Sequence, residues 1–282
     1  MPLLFILPCI VFLLAMTIFP LLYSLFLGFN KWELAVGLPR EFTGLSNYGR
    51  LITDPRFWNA MRNMAYELVF GVGAQLVLGL GLALLLDRAF KGRGMVVTLF
   101  LLPTMIAPVV VGTTFRMIYH YSYGPLNYFL KAVNIPGLNW LADPKLAFPS
   151  IIIADTWEWT PFMMLILLAG LQSIPSELHE VASVDGASSW QKFLYITLPL
   201  LKRTMIIAVL IRSMDAFKLF DLVVLLTQGG PGIASETLPY YNYLVGFKYF
   251  SMGYAAALAY VQLIVLIILA QIFLKYWKRE GG

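Results

Sequence analysis

The chain has 282 residues; 60% are apolar or aromatic, 12% are charged, and the net charge is +5. Soluble domains carry about twice that share of charge, and a mean hydropathy of +0.77 means more apolar surface than a water-soluble fold of this size can hide. A soluble enzyme and a disordered tail are excluded, and the composition is that of an integral membrane protein. The single cysteine, Cys9, excludes an intrachain disulfide and argues against a cysteine-held zinc or iron–sulfur site. His120 and His179 are far apart and make a weak metal pair. In a membrane chain, a modest basic excess marks cytoplasmic loops rather than nucleic-acid binding.

A helix needs about 20 mostly apolar residues to cross a bilayer, and six segments qualify. The first, 3–29, has no charge before Lys31 and is expected to bend at Pro8 and Pro20. It lacks the basic start and short apolar core of a signal peptide, so it reads as a permanent span. The second, 64–86, is rich in glycine, with Gly71, Gly73, Gly79 and Gly81. The third, 95–119, contains Pro103 and Pro108. The fourth, 149–171, carries Asp155 and Glu158; the fifth, 204–226, is the most polar; the sixth is 254–275. Glycine and proline inside such helices permit close packing and local kinks. The expected fold is all-α: one polytopic membrane domain over 1–282 with six transmembrane helices.

Orientation follows Lys and Arg near the helix ends. Arg88, Lys91 and Arg93, then Lys192, Lys202 and Arg203, then Lys275, Lys278 and Arg279 fall on one side. Loops 121–148 and 227–253 on the other side are poor in basic residues. Loop 30–63 argues the opposite way with Lys31, Arg40, Arg50, Arg56 and Arg62, but it is long and also carries Glu33, Glu41 and Asp54. Both termini are expected in the cytoplasm.

The cytoplasmic loop 176–199 reads as helix, turn, helix. Ser176 after Pro175 suits an N-cap. Gly186 suits a left-handed C-terminal turn. Ser188 with Gln191 spells a capping box, opening a helix that shows Trp190, Phe193 and Leu194. Pro199 is expected to break the chain before the fifth span. A hairpin resting on the bilayer would carry a basic polar face. Here Glu177, Glu180 and Asp185 stand beside one lysine, Lys192, so docking to a protein fits better.

Glu180-Val181-Ala182, Gly186, Ile196 and Leu198-Pro199 resemble the EAA loop of permease subunits in binding-protein-dependent ABC importers. The one departure is Val181 for the first alanine. Other segments resemble the first permease of the sugar-importing, maltose-type branch. They are Phe42, Gly44-Leu45 and Asn47-Tyr48 leading to Asp54, Phe57-Trp58 and Asn63, then Trp140-Leu141 with Asp143-Pro144. Ala169-Gly170-Leu171-Gln172 with Ile174-Pro175, and Phe220-Asp221 followed by Thr227 to Pro231, complete the likeness. The resemblance implies that the loop enters a groove on an ATPase subunit, with Glu180, Ala182, Asp185, Gly186, Trp190 and Phe193 as coupling residues. It also implies a second permease, two ATP-binding cassette subunits, an extracytoplasmic solute-binding protein and alternating access in a bacterial or archaeal plasma membrane. ATP and Mg would sit on the partner ATPase, with no cofactor on this chain. The chain has no Gly-x4-Gly-Lys-Ser/Thr phosphate loop and no Gly-Lys pair, so ATP hydrolysis is expected elsewhere.

Charged groups inside a span are costly, and each is a site hypothesis. The fifth span offers Arg212, Asp215, Lys218 and Asp221. Arg212, Asp215 and Leu219 share a helix face, and Lys218 is spaced to pair with Asp221. The fourth offers Asp155, Trp157, Glu158, Trp159 and Phe162. Carboxylates accept hydroxyl hydrogen bonds and aromatic rings stack on a pyranose, so this mixture suits a neutral sugar. The resemblance points to Glu158, Trp159, Phe162, Arg212, Asp215, Ala216 and Leu219 as the solute path; Asp155 joins them as a span-four acid.

The alternative is structural pairing, with Arg212 bound to an acid of span four. Glu67, Gln75 and Arg116 are weaker candidates, and Glu67 and Arg116 are expected to reach the interface from span ends. Thr227–Gly232 reads as a compact turn shaping the path. The favoured solute is a disaccharide or small oligosaccharide. A phosphorylated polyol such as glycerol phosphate gains if Arg212 lacks an acidic partner. An ion-coupled secondary transporter would show inverted repeats, which are not visible, and leaves the loop unexplained. A membrane enzyme would need a clustered acid/base or metal set that the scattered acids and two histidines do not supply.

Overall fold

The computed structural model describes residues 2–34, 37 and 39–279; the two ends of the expected 1–282 domain, and the Lys278 and Arg279 side chains, lie outside that set. The described residues are helical almost throughout. In chain order the elements are α1 (Ile6–Gly28), β1 (Asn30–Lys31), β2 (Glu41–Phe42), α2 (Ser46–Thr53), α3 (Pro55–Asp87), α4 (Arg93–Met105) and α5 (Pro108–Ile118). Then follow α6 (Pro125–Ala132), α7 (Ala147–Gln172), α8 (Ser176–Val184), α9 (Ser189–Ala216), α10 (Asp221–Leu226), α11 (Leu238–Tyr243) and α12 (Met252–Trp277). β1 and β2 pair antiparallel, with Asn30 opposite Phe42. Helices α1, α3, α7, α9 and α12 are each long and apolar enough to cross a membrane.

The expected third span is broken. α4 and α5 meet at 90°. Ala107 is extended (φ −63°, ψ 137°), the conformation that a following proline imposes, and Pro103 cannot donate to an α ladder.

The fifth span also differs from its expected bounds of 204–226. Its helix begins at Ser189, inside the loop, and ends at Ala216. Pro199 does not break it. A wide turn over Phe193–Thr197 precedes the proline, and the Leu198 N–H bonds back five residues to the Phe193 carbonyl. The ladder is already displaced where proline's missing donor falls. Beyond Ala216 the chain turns through Phe217–Phe220 before α10 starts at Asp221. The expected helical pairing of Lys218 with Asp221 is therefore lost, and among the described residues no ion pair joins them.

α3 starts nine residues before the expected 64, since 64 − 55 = 9. Pro55 occupies its first position and the Asp54 carboxylate caps it, accepting the Arg56 N–H at 2.8 Å. Asp54 also accepts the Tyr241 and Tyr254 hydroxyls. Burial works against its charge, but these hydrogen bonds outweigh burial and hold its pKa below the ordinary value.

The centre of the molecule is the contact of α3 with α7. Val72 and Ala83 of α3 pack with Met163, Met164 and Leu167 of α7 in a buried cluster. Gly79 makes this approach possible: a Cβ there would lie 2.9 Å from the Met164 nitrogen and 3.0 Å from the Met163 Cβ. Because the obstacle includes backbone, Gly79→Leu forces the helices apart, at a cost of about 1–3 kcal/mol or more. The purified complex should unfold at a clearly lower temperature in detergent. An unchanged midpoint would refute the close-packing account.

Candidate functional site

Where α7 passes the end of α9, the chain forms a partly open cavity of about 260 Å³. Asp155, Glu158 and Trp159 line it from α7, one helical turn apart. Arg212, Asp215 and Ala216 line it from α9, and Lys218, Leu219 and Phe220 from the turn that follows. Asp221 and Leu222 of α10 close one wall, and Pro108, at the bend of the broken span, closes another. The turn after Ala216 is what lets both Lys218 and Asp221 reach the space. Thr237 anchors that turn by donating its hydroxyl to the Leu219 carbonyl at 2.7 Å.

Arg212 is the centre of the polar network. It is 1% exposed. Its Nη2 pairs with Asp155 Oδ2, its Nη1 donates to Asp215 Oδ2 at 3.1 Å, and its Nε donates to Gln75 Oε1 at 2.8 Å. Gln75 Nε2 donates to Asp155 Oδ2 at 2.7 Å, closing a ring. The guanidinium lies 4.8 Å from the Trp159 ring centroid. Charge pairing of this kind makes an arginine affordable in a membrane interior. It also leaves Arg212 with acids on two sides and an aromatic face on a third.

Seven of the eight expected path residues line the cavity. Phe162 does not; it packs edge-on against Trp159, with centroids 5.9 Å apart, and steadies that ring from behind. Trp157 turns away onto Phe115. Glu67 was expected at the interface and is instead fully buried. Its carboxyl faces the Asp155 and Arg212 charges without a well-directed hydrogen bond. Glu67 is not at a helix end, because α3 begins at Pro55, twelve residues before it (67 − 55). Arg116 is exposed. Among the described residues no cluster of potential metal ligands forms.

The segment after α10 folds as a compact turn. Gly229 and Gly232 have positive φ, and Thr227 Oγ1 meets Ser235 Oγ at 2.7 Å. It is clamped to α3: Asn63 donates to the Ala234 and Glu236 carbonyls, and Arg56 pairs with the buried Glu236. The turn holds the cavity wall in place and does not itself line the space.

At the other end lies the loop read as the coupling element. α8 begins at Ser176 with Pro175 in the cap position, so Ser176 is the first helical residue rather than the cap. Gly186 has φ +78°. Its N–H bonds the Ser183 carbonyl, and the Ala187 N–H bonds the Ala182 carbonyl at 2.9 Å, which together make a Schellman turn. Ser188 and Gln191 form the expected capping box. Trp190 and Phe193 stack at 5.4 Å. Lys192 Nζ donates to Ser183 Oγ and ties the two helices together. Val184 is 88% exposed, Trp190 66% and Val181 62%. Glu180 and Asp185 are exposed beside them.

Residues 2–279 match the family of binding-protein-dependent transport system inner membrane components. The chain belongs to that family. It is a multi-pass membrane permease and a non-catalytic component of its transporter. It is 35% identical to the trehalose/maltose transport system permease protein MalF of Thermococcus litoralis, over 98% of this chain and 92% of the relative. It is 34% identical to the sulfoquinovosyl glycerol transport system permease protein SmoG of Agrobacterium fabrum, over 95% and 87%. A chain in the crystal structure of a bacterial ABC transporter that imports the acidic polysaccharide alginate superposes with a TM-score of 0.82. That superposition covers 98% of the permease and 94% of the other chain at 24% identity, so the likeness is one of fold.

Proposed function

We propose that the permease carries a disaccharide or small oligosaccharide across the plasma membrane as one half of a translocation pathway. The observation that carries this reading is the pairing of Arg212 with two acids, Asp155 and Asp215, supported by Gln75. An arginine held this way does not need an anionic solute. What the cavity offers instead is carboxylates able to accept hydroxyl hydrogen bonds, at Glu158, Asp215 and Asp221, and ring faces at Trp159 and Phe220. The trehalose/maltose relative supports a glycoside solute. Lys218, which has no carboxylate partner among the described residues, keeps a phosphorylated polyol as the second reading.

The remaining parts of the transporter are proposals that the family's dependence on a binding protein and the exposed apolar loop support. We assign a second permease, a pair of ATPase subunits holding ATP and Mg, and an extracytoplasmic solute-binding protein. Both termini are placed in the cytoplasm, with the coupling loop on the same side. ATP closure would draw the loops together and turn the cavity outward; hydrolysis would return it inward.

The test is ATP hydrolysis by the complete complex in lipid vesicles, with its binding protein, against neutral disaccharides and sugar or polyol phosphates. Stimulation by a neutral disaccharide is expected. Stimulation confined to a phosphorylated polyol would transfer the anion-binding role to Lys218 and overturn the neutral-sugar reading.

A further inference from the structure

A second cavity, of about 640 Å³, lies between α3 and α7, apart from the solute site. Its walls are Tyr66 and Phe70 of α3 with Phe148, Ile152 and Ile153 at and beyond the start of α7. Its mouth carries two cations, Arg62 and Lys145. Each flanks an apolar stretch in sequence: Arg62 just before 64–86, and Lys145 two residues before α7. Neither has a carboxylate partner among the described residues. Arg62 gives Nη2 to Asn59 at 2.8 Å, which leaves the rest of its donor fork open.

Along α3 the lining runs from Arg62 to Phe70, eight residues (70 − 62) or about 12 Å of helix, which fits within the roughly 15 Å of hydrocarbon in half a bilayer. At its deep end Ile153 also lines an apolar cavity of about 440 Å³ formed with Leu78, Leu99 and Phe100. A largely apolar slot that also carries two cations without carboxylate partners complements a lipid with an anionic headgroup. We propose that this groove holds one acyl chain of an anionic phospholipid, with its phosphate between Arg62 and Lys145. The proposal rests on the chain being a membrane permease and not on the identity of its solute.

The complete complex with Phe70→Trp as reporter is placed in phosphatidylcholine vesicles holding a minor fraction of chain-brominated lipid. Quenching is read against the same complex without the reporter. Brominated phosphatidylglycerol is expected to quench the new tryptophan at a several-fold lower mole fraction than brominated phosphatidylcholine. Arg62→Gln should weaken that preference about fivefold, and Lys145→Gln about fivefold more. Equal quenching by the two lipids overturns the proposal, because the groove then samples bulk lipid. No quenching by either, in an intact complex, also overturns it, because the groove then holds no lipid chain. Native mass spectrometry of the complex without the reporter gives an independent reading. Phosphatidylglycerol retained by the parent and lost from the double variant is expected, and equal retention refutes the site.

Discussion

Replacing Arg212 by methionine is expected to abolish transport and to lower sharply the yield of folded complex. The arginine is the one cation of a buried ring with Asp155 and Gln75, and it also holds Asp215 at the cavity wall. Removing it leaves Asp155, 2% exposed, as an uncompensated charge in the membrane interior, a loss of about 3–5 kcal/mol. The double change Arg212→Met with Asp155→Asn removes both charges and should restore much of the yield. Transport should stay impaired, because Asp215 and the Trp159 face lose the group that positions them. The measurements are the amount of monodisperse complex and uptake of labelled solute into vesicles. Parental uptake by the single variant would show that the ring is not part of the path.

The second large effect is expected at Gly186. Its φ of +78° lies where a β-branched side chain is strained by roughly 1–2 kcal/mol. Gly186→Val should open the Schellman turn and swing α8 against the start of α9, breaking the Lys192–Ser183 link between them. Nothing lies within 4 Å of the Cβ position, so the membrane fold should be untouched. The expected phenotype is a complex in which the solute-loaded binding protein no longer stimulates ATP hydrolysis and uptake is lost. Gly186→Asn, which tolerates the left-handed conformation, should keep most of both. Full uptake by a well-expressed Gly186→Val permease would remove the coupling role from this loop.

These two sites differ in how far they can be read without a structure. The loop is written in local chemistry: Gly186 for the left-handed turn, and Ser188 and Gln191 for the cap. The structure returns both features at the residues where the pattern puts them. The charges of spans four and five were visible for a related reason, since ionisable groups in apolar helices stand out against their surroundings. Gln75 and Glu67 did not stand out. In a regular helix, residues 67 and 75 are about 80° apart around the axis. The wide turn over Glu67–Val72 changes that angle, and no residue in the turn announces it.

The sequence by itself determined the class of molecule, its apolar spans in outline and the helix–turn–helix of loop 176–199, because each follows from composition, hydropathy or hydrogen bonds between near neighbours. The tertiary structure alone decided what meets between the helices. The end of α9 at Ala216 brings Lys218 and Asp221 to the cavity wall, and the packing of α9 against α3 and α7 sets the contacts of Arg212. Those contacts join Arg212 to residues 57 and 137 positions away in the chain. Such pairings depend on which faces the packed helices present, a relation that local spacing does not encode.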